Sequence, residues 1–285
     1  MTRVLVLTAS MLVWLGASIA SAQETADESQ PLNFQHGPAI FQIGDNLAEI
    51  ELSEDFVFLD RAGTERLLEL TENPLSGTEQ ATVLPASDEE QWFVIFEWDD
   101  IGYVPDEDSD LDADALLESI VEGTRVANEE RERLGWATMD ILGWHDAPRY
   151  DEETNNLTWA VTAESGGAKN INRIVKVLGR RGVMTITLVA SPDELRQADP
   201  ELLGLLNDYH FHQGSTYAEY LPGSDKLAEF GLAALVVGGA GAALVKSGLF
   251  ARFWKLMVAG VVGVAGVFRR FFRGERAEDQ PISKA

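Results

Sequence analysis

The chain has 285 residues, no cysteine and a formal net charge of −25 at pH 7. So acidic a balance excludes nucleic-acid binding, which needs a basic surface to meet phosphate, and it disfavours adhesion of the acidic part to anionic lipid. Without cysteine there are no disulfide staples and no thiol nucleophile, so stability must come from a packed core.

At the N-terminus, Arg3 precedes an uncharged apolar run from Val4 to Ala20, and Ala20-Ser21-Ala22 follows. A positive start, a short apolar stretch and small residues at the first and third places before a cut are what a signal peptidase accepts. Residues 1–22 are therefore expected to be a signal peptide, with Ala20 and Ala22 filling the peptidase pockets. The apolar run is short for a membrane-crossing helix of roughly 20 residues. Residues 23–36 are polar and read as a loose leader.

Residues 37–227 have the length of one acidic domain outside the cytoplasm. Leu47 to Leu52 and Phe56 to Leu59 read as short strands, and Ala62 to Glu72 as a helix stopped by Asn73-Pro74. Trp92 to Trp98 is rich in aromatic and β-branched residues, which suits a strand. From Ala113 to Leu134 the residues Leu116, Leu117, Ile120, Val121, Thr124 and Ala127 form an apolar stripe at helical spacing, and Gly135 ends it. Glu129 and Arg133 stand four apart as a supporting pair.

Four strands follow: Ala137 to Trp144, Leu157 to Ala163, Asn170 to Leu178 and Val183 to Ala190. The turns between them are short, whereas parallel strands need long crossovers, so the pattern predicts an antiparallel meander. Ser191-Pro192-Asp193-Glu194 predicts a capped helix start, and Asp199-Pro200 a restart for Leu202 to Leu206. The fold class is α+β: an antiparallel, meander-rich sheet with helices packed against it.

Beyond this domain come two apolar blocks. Residues 228–250 are expected to be a transmembrane segment, with Lys246 near its end. Residues 251–273 form a second apolar, basic-flanked membrane segment, and 274–285 a polar tail. One crossing leaves Lys246, Arg252, Lys255 and the cluster from Arg269 to Arg276 on the cytoplasmic side, as the positive-inside tendency requires. A hairpin of two crossings is the alternative. Ala234, Gly238 and Ala242, then Ala259 and Gly263, place small residues every four positions, the spacing of close helix–helix contact in lipid.

The chemistry-bearing residues are few. Asp208, His210 and His212 alternate and, if extended, share a face, making them candidate zinc ligands. The acids from Asp106 to Asp114 lack the glycine and the distal Glu of a calcium loop and instead precede a helix whose N-terminus they suit. No Gly-x-Ser-x-Gly elbow and no phosphate-binding Gly-Lys-Ser/Thr motif occurs. Trp92 and Trp159 read as core, Tyr103, Trp144 and Tyr150 as surface positions for recognition. Arg180 and Arg181 read as turn residues, one of them pairing with a carboxylate. No cofactor is expected.

A further pattern runs through Asn73-Pro74, Gly102-Tyr103-Val104, Asp114-Ala115-Leu116-Leu117, Asn128 with Arg131, Gly143-Trp144, Pro148 with Tyr150-Asp151 and Leu157-x-Trp159-Ala160. Leu178 to Gly182, Asp225-Lys226 and Gly231 to Leu235 continue it. In these residues the chain resembles bacterial membrane-anchored proteins that carry the domain of unknown function family 2167. The pattern departs at Asn170 to Lys176. The resemblance implies an exported, membrane-anchored protein and supplies no catalytic residues. The expectation is a non-enzymatic envelope module in the periplasm whose partners are membrane lipid and either another envelope protein or a second copy of itself. The alternative is an envelope hydrolase using paired carboxylates or zinc.

Overall fold

The computed structural model describes residues 32–237, except 72, 74 and 107–110. Eight antiparallel strands form the main sheet: β1 (Gln35–His36), β4 (Phe56–Leu59), β5 (Glu79–Pro85), β6 (Phe93–Asp99), β7 (Met139–Asp151), β8 (Asn156–Ser165), β9 (Ala168–Leu178) and β10 (Val183–Ala190). Their spatial order is β1-β4-β5-β6-β10-β9-β8-β7. A smaller sheet pairs β11 (Tyr209–Phe211), β3 (Ala48–Leu52) and β2 (Ala39–Ile43). The helices are α1 (Arg61–Leu70), α2 (Ala113–Leu134), α3 (Leu195–Asp208) and the short α4 (Leu232–Val236). The class is α+β, and β7 to β10 form the expected meander.

Strand alternation assigns each residue to a face. On one face Ile171, Val175, Met184, Ile186 and Leu188 meet α3 and the small sheet in the largest core cluster. On the other, Leu157, Trp159, Val161 and Ile174 pack under α2 and α4, while Val57, Leu84, Phe93 and Ile95 pack under α1. Trp92 and Trp159 are fully buried, as their strand settings suggested.

Local chemistry accounts for the helix ends. Asp60 accepts from Gly63 N and Asp112 from Ala115 N, so both cap with a carboxylate, and Gly135 closes α2 in the left-handed conformation at φ 75°. Within α2, Leu116, Ile120 and Thr124 are buried, but Val121 is exposed, because the stripe facing the sheet is narrower than the apolar pattern. Arg133 pairs with Glu130, and Glu129 with Arg125, rather than Glu129 with Arg133.

Several expectations change. Residues 32–36 are no leader: Leu32 is buried, and β1 pairs with β4. β7 runs on past Trp144 to Asp151, absorbing Pro148 through register shifts against β8. β9 pairs with both neighbours without a shift through Asn170 to Lys176. Ser191 and Glu194 form their reciprocal bonds, but in the turn ahead of α3, and α3 continues through Pro200 instead of restarting.

At the far end, Ala228, Leu232, Leu235 and Val236 are buried in the α2-side core. The first ten residues of the expected transmembrane segment therefore belong to the domain, Ala234 among them. Among the described residues no helix is long and apolar enough to cross a membrane. The signal peptide with Ala20 and Ala22, the remainder of 228–250, the segment 251–273, the tail 274–285 and Gly238, Ala242, Ala259 and Gly263 lie outside the described residues. What leads toward them is firmly held. Tyr103 bridges Leu227 in parallel, and Gly102, at φ +100°, approaches the backbone of 226–228 so closely that a Cβ would lie 2.7 Å from Lys226 O. Arg180 grips Asp225 with two bonds of 2.7 and 2.9 Å, the carboxylate pairing expected for this turn.

Candidate functional site

The two faces of the main sheet each concentrate polar groups, and in opposite ways. On the α1/α2 face one cross-strand row reads Glu79–Glu97–Thr185–Lys176 across β5, β6, β10 and β9, with Asp99 two residues further along β6. Glu79, Glu97, Asp99 and Lys176 are each at most 7% exposed. The cluster carries its own partners. Glu79 accepts from Ser76 Oγ at 2.8 Å and from Gly77 N at 2.8 Å, Glu97 shares the same serine hydroxyl at 3.3 Å, and Lys176 Nζ donates to Thr185 Oγ1 at 2.8 Å.

Burial is the chief cause of the altered acidities here. It pushes Glu97 well above the usual carboxylate range, with the charges of Glu79 and Asp99 adding to it and Lys176 opposing. Burial also raises Asp99 and lowers Lys176, each moderated by the opposite charge beside it. These are convergent carboxylates, but they are sealed in the core, whereas acid/base hydrolysis needs its two carboxyls on either side of a substrate.

On the α3 face the sheet is open. α3 lies over β10 and the small sheet and leaves a cleft of about 620 Å³ where β7, β8 and β9 run out from under it. That volume is within the range of small-molecule sites. Strand register places two rows across its floor: Arg149–Thr158–Val175 and Asp151–Asn156–Val177. The rim on β7 is charged, β8 supplies a hydroxyl and an amide, and β9 is apolar except for Arg173 at one end. Leu202, Leu203 and Leu206 of α3 make the wall above Val175 and Val177, with Leu203 63% exposed.

Hydrogen-bond accounting separates this cleft from the buried row. At one end Arg173 is paired with two carboxylates: it bonds Asp199 at 2.7 and 3.1 Å and Asp146 at 2.7 Å. Asp151 accepts from the turn amides of Glu153 and Thr154. By contrast, Asn156 Oδ1 and the Tyr209 hydroxyl are buried with no partner, and Tyr209 is only 6% exposed. The Arg149 side chain is exposed and makes no ion pair or hydrogen bond among the described residues. An unpaired buried polar atom costs roughly 1–3 kcal/mol. Trp159 Nε1, Thr187 Oγ1 and both amide atoms of Asn172 are unpartnered too, in the core of the other face, and what sets Asn156 and Tyr209 apart is that they line the cleft.

The residues nominated from sequence fall elsewhere. Asp208 is the last residue of α3, His210 is exposed on β11, and His212 bonds Gln42 Oε1 at 2.8 Å. Residues 209–211 are extended as supposed, but no group of three His, Cys, Asp or Glu among the described residues is placed to share a metal ion. Tyr103 is stacked between Tyr217 and Tyr220, at 4.4 and 3.8 Å between ring centroids. Trp144 Nε1 donates to Ala113 O, and Tyr150 OH to Asp106. All three are half-buried around the start of α2, and burial raises the Tyr150 hydroxyl's pKa. Asp106 and Asp112 thus serve the fold, one through Tyr150 and one as a helix cap.

Sequence reading missed Arg149, Asn156 and Tyr209. The polar alternation Asn156, Thr158 against apolar Leu157, Trp159 was visible. That α3 stops short of β8 was not.

A family model described as Protein of unknown function (DUF2167) matches residues 35–268. No curated protein matches the chain. Among the solved structures that match is the solution structure of cyanobacterial PsbP (CyanoP) from Synechocystis sp. PCC 6803, 12% identical, with a TM-score of 0.36. The match covers 65% of this chain and 96% of that one, and a likeness so low carries no functional argument.

Proposed function

We propose that this chain, which belongs to the DUF2167 family of proteins of unknown function, is a non-enzymatic envelope binding module. In this reading the acidic domain is exported and held at a membrane by the apolar segments after residue 237. It takes a ligand in the cleft beside α3. One observation carries the binding role: the cleft holds unmatched hydrogen-bonding groups beside exposed apolar surface, while the convergent carboxylates of the opposite face are buried among their own partners.

The placement is supported by the signal-like N-terminus and by the basic clusters that flank the late apolar segments. Native mass spectrometry of the full chain released from membranes tests the binding role. The expected result is a bound small molecule that is lost from the Leu203→Asp variant. A chain that carries nothing, and that hydrolyses envelope polymer with loss of activity in Glu97→Gln, overturns it in favour of the hydrolase. Topology reporters fused after Val245 and after Arg273 are both expected on the cytoplasmic side, whereas a hairpin returns the second to the outside.

A further inference from the structure

We infer that the cleft beside α3 binds a small amphipathic carboxylate with an amide or similar donor–acceptor group between its charged head and its apolar body, a molecule of the N-acyl amino acid kind. The inference rests on the binding role proposed above and specifies its ligand.

The argument runs across the strands. Adjacent strands are about 4.8 Å apart, so the rim on β7 and the apolar floor on β9 are separated by about 10 Å. Along that distance polarity falls in a fixed order. Arg149 stands at the rim with its guanidinium uncommitted, whereas the other cleft arginine, Arg173, already holds Asp199 and Asp146. Guanidinium forks pair with carboxylates and phosphates, and in a cleft that also carries Asp151 and Asp199 the singly charged carboxylate is the head that suits Arg149. Asp151 holds its Oδ1 to the amides of Glu153 and Thr154 and forms no ion pair with Arg149.

One strand inward, Asn156 presents a buried carbonyl oxygen that lacks a donor. Tyr209 of β11 also lines the cleft, and its hydroxyl lacks any partner. A ligand group with an N–H on one side and a carbonyl on the other supplies a donor to Asn156 Oδ1 and an acceptor to Tyr209. The side chains of Val175, Val177, Leu202 and Leu206 offer no polar atoms, and the part of the ligand against them must be apolar. A chain of about eight carbons spans what remains, and the cleft's 620 Å³ accommodates it.

The test is calorimetric titration of the full chain in bilayer nanodiscs, with empty nanodiscs as reference, using N-octanoylglycine and its methyl ester. The acid is expected to bind about tenfold more tightly than the ester, since a charge-assisted bidentate pair is lost on esterification. Arg149→Gln should bring the two within about twofold by weakening only the acid, and Tyr209→Phe should weaken both alike. If acid and ester bind equally, or if Arg149→Gln leaves the preference for the acid intact, the carboxylate assignment is overturned while a binding cleft remains. If neither probe binds beyond the nanodisc reference, and Leu203→Asp changes nothing, the cleft is no site for this class and the binding role falls with it.

Discussion

Both faces of the main sheet bury polar groups, but those beside α3 border a cleft while those under α1 and α2 are enclosed. Under α1 and α2 the row Glu79–Glu97–Thr185–Lys176 is buried and internally bonded. Beside α3, Asn156 Oδ1 and the Tyr209 hydroxyl are unpartnered and their residues line an open cleft, whereas the unpartnered atoms of Trp159, Asn172 and Thr187 on the other face are buried in its core. Burial alone therefore does not mark a functional site. A buried group whose bonds are all made within the chain belongs to the fold, and one left incomplete beside open space is available to something else.

The largest test of this contrast is Lys176→Met. It removes the cation from among three buried carboxyls, and loss of one partner from a buried ionic cluster costs about 3–5 kcal/mol. Urea denaturation should show that loss, and an unchanged midpoint would mean the cluster is solvated after all.

A second, smaller effect comes through pH. Burial raises the folded pKa of Glu97, so the folded chain keeps a proton that the unfolded chain releases. That contribution to stability is fully present below the unfolded value, about pH 4, and is lost as pH rises through the folded one. Glu97→Gln should then match the parent near pH 5 and exceed it near pH 8 in thermal midpoint. Asp99, raised in the same direction, leaves part of the slope in place.

On the α3 face the expected stability effects are small. Arg173→Met breaks pairs whose carboxylates are 34% and 51% exposed, and about 1 kcal/mol is the scale for such pairs. A loss as large as that of Lys176→Met would erase the distinction between the faces. Tyr209→Phe runs the other way: it deletes an unpaired buried hydroxyl, so stability should rise by about 1 kcal/mol. If unfolding shows a clear destabilisation, the hydroxyl is part of the fold's own network, as the Glu97 row is.

Much of the fold was legible because it is written in local periodicity. The bounds of α2 follow from Asp112, the apolar stripe and Gly135, and the meander from short turns between apolar runs. Four strands escaped. β1 is held by β4, β2 by β3, β5 draws its burial from both neighbours, and β11 exists because β3 offers it an edge. Each is defined by partners distant in sequence. The start of the expected transmembrane segment was misjudged for a related reason: an apolar helix suits lipid and a protein core equally, and only packing against α2's cluster placed Leu232, Leu235 and Val236 inside the domain.

The cleft was the least legible feature. Arg149, Asn156 and Tyr209 come from two adjoining strands of the meander and from a third strand of a different sheet, with α3 between them in sequence. Nothing in their spacing links them. By itself the sequence determined the acidic character, the α+β class, the helix caps and the alternation of each strand, since these depend on neighbours within a few residues. The tertiary structure alone decided which buried charges are completed and which polar atoms are left beside open space, since that depends on where α3 comes to rest on the sheet.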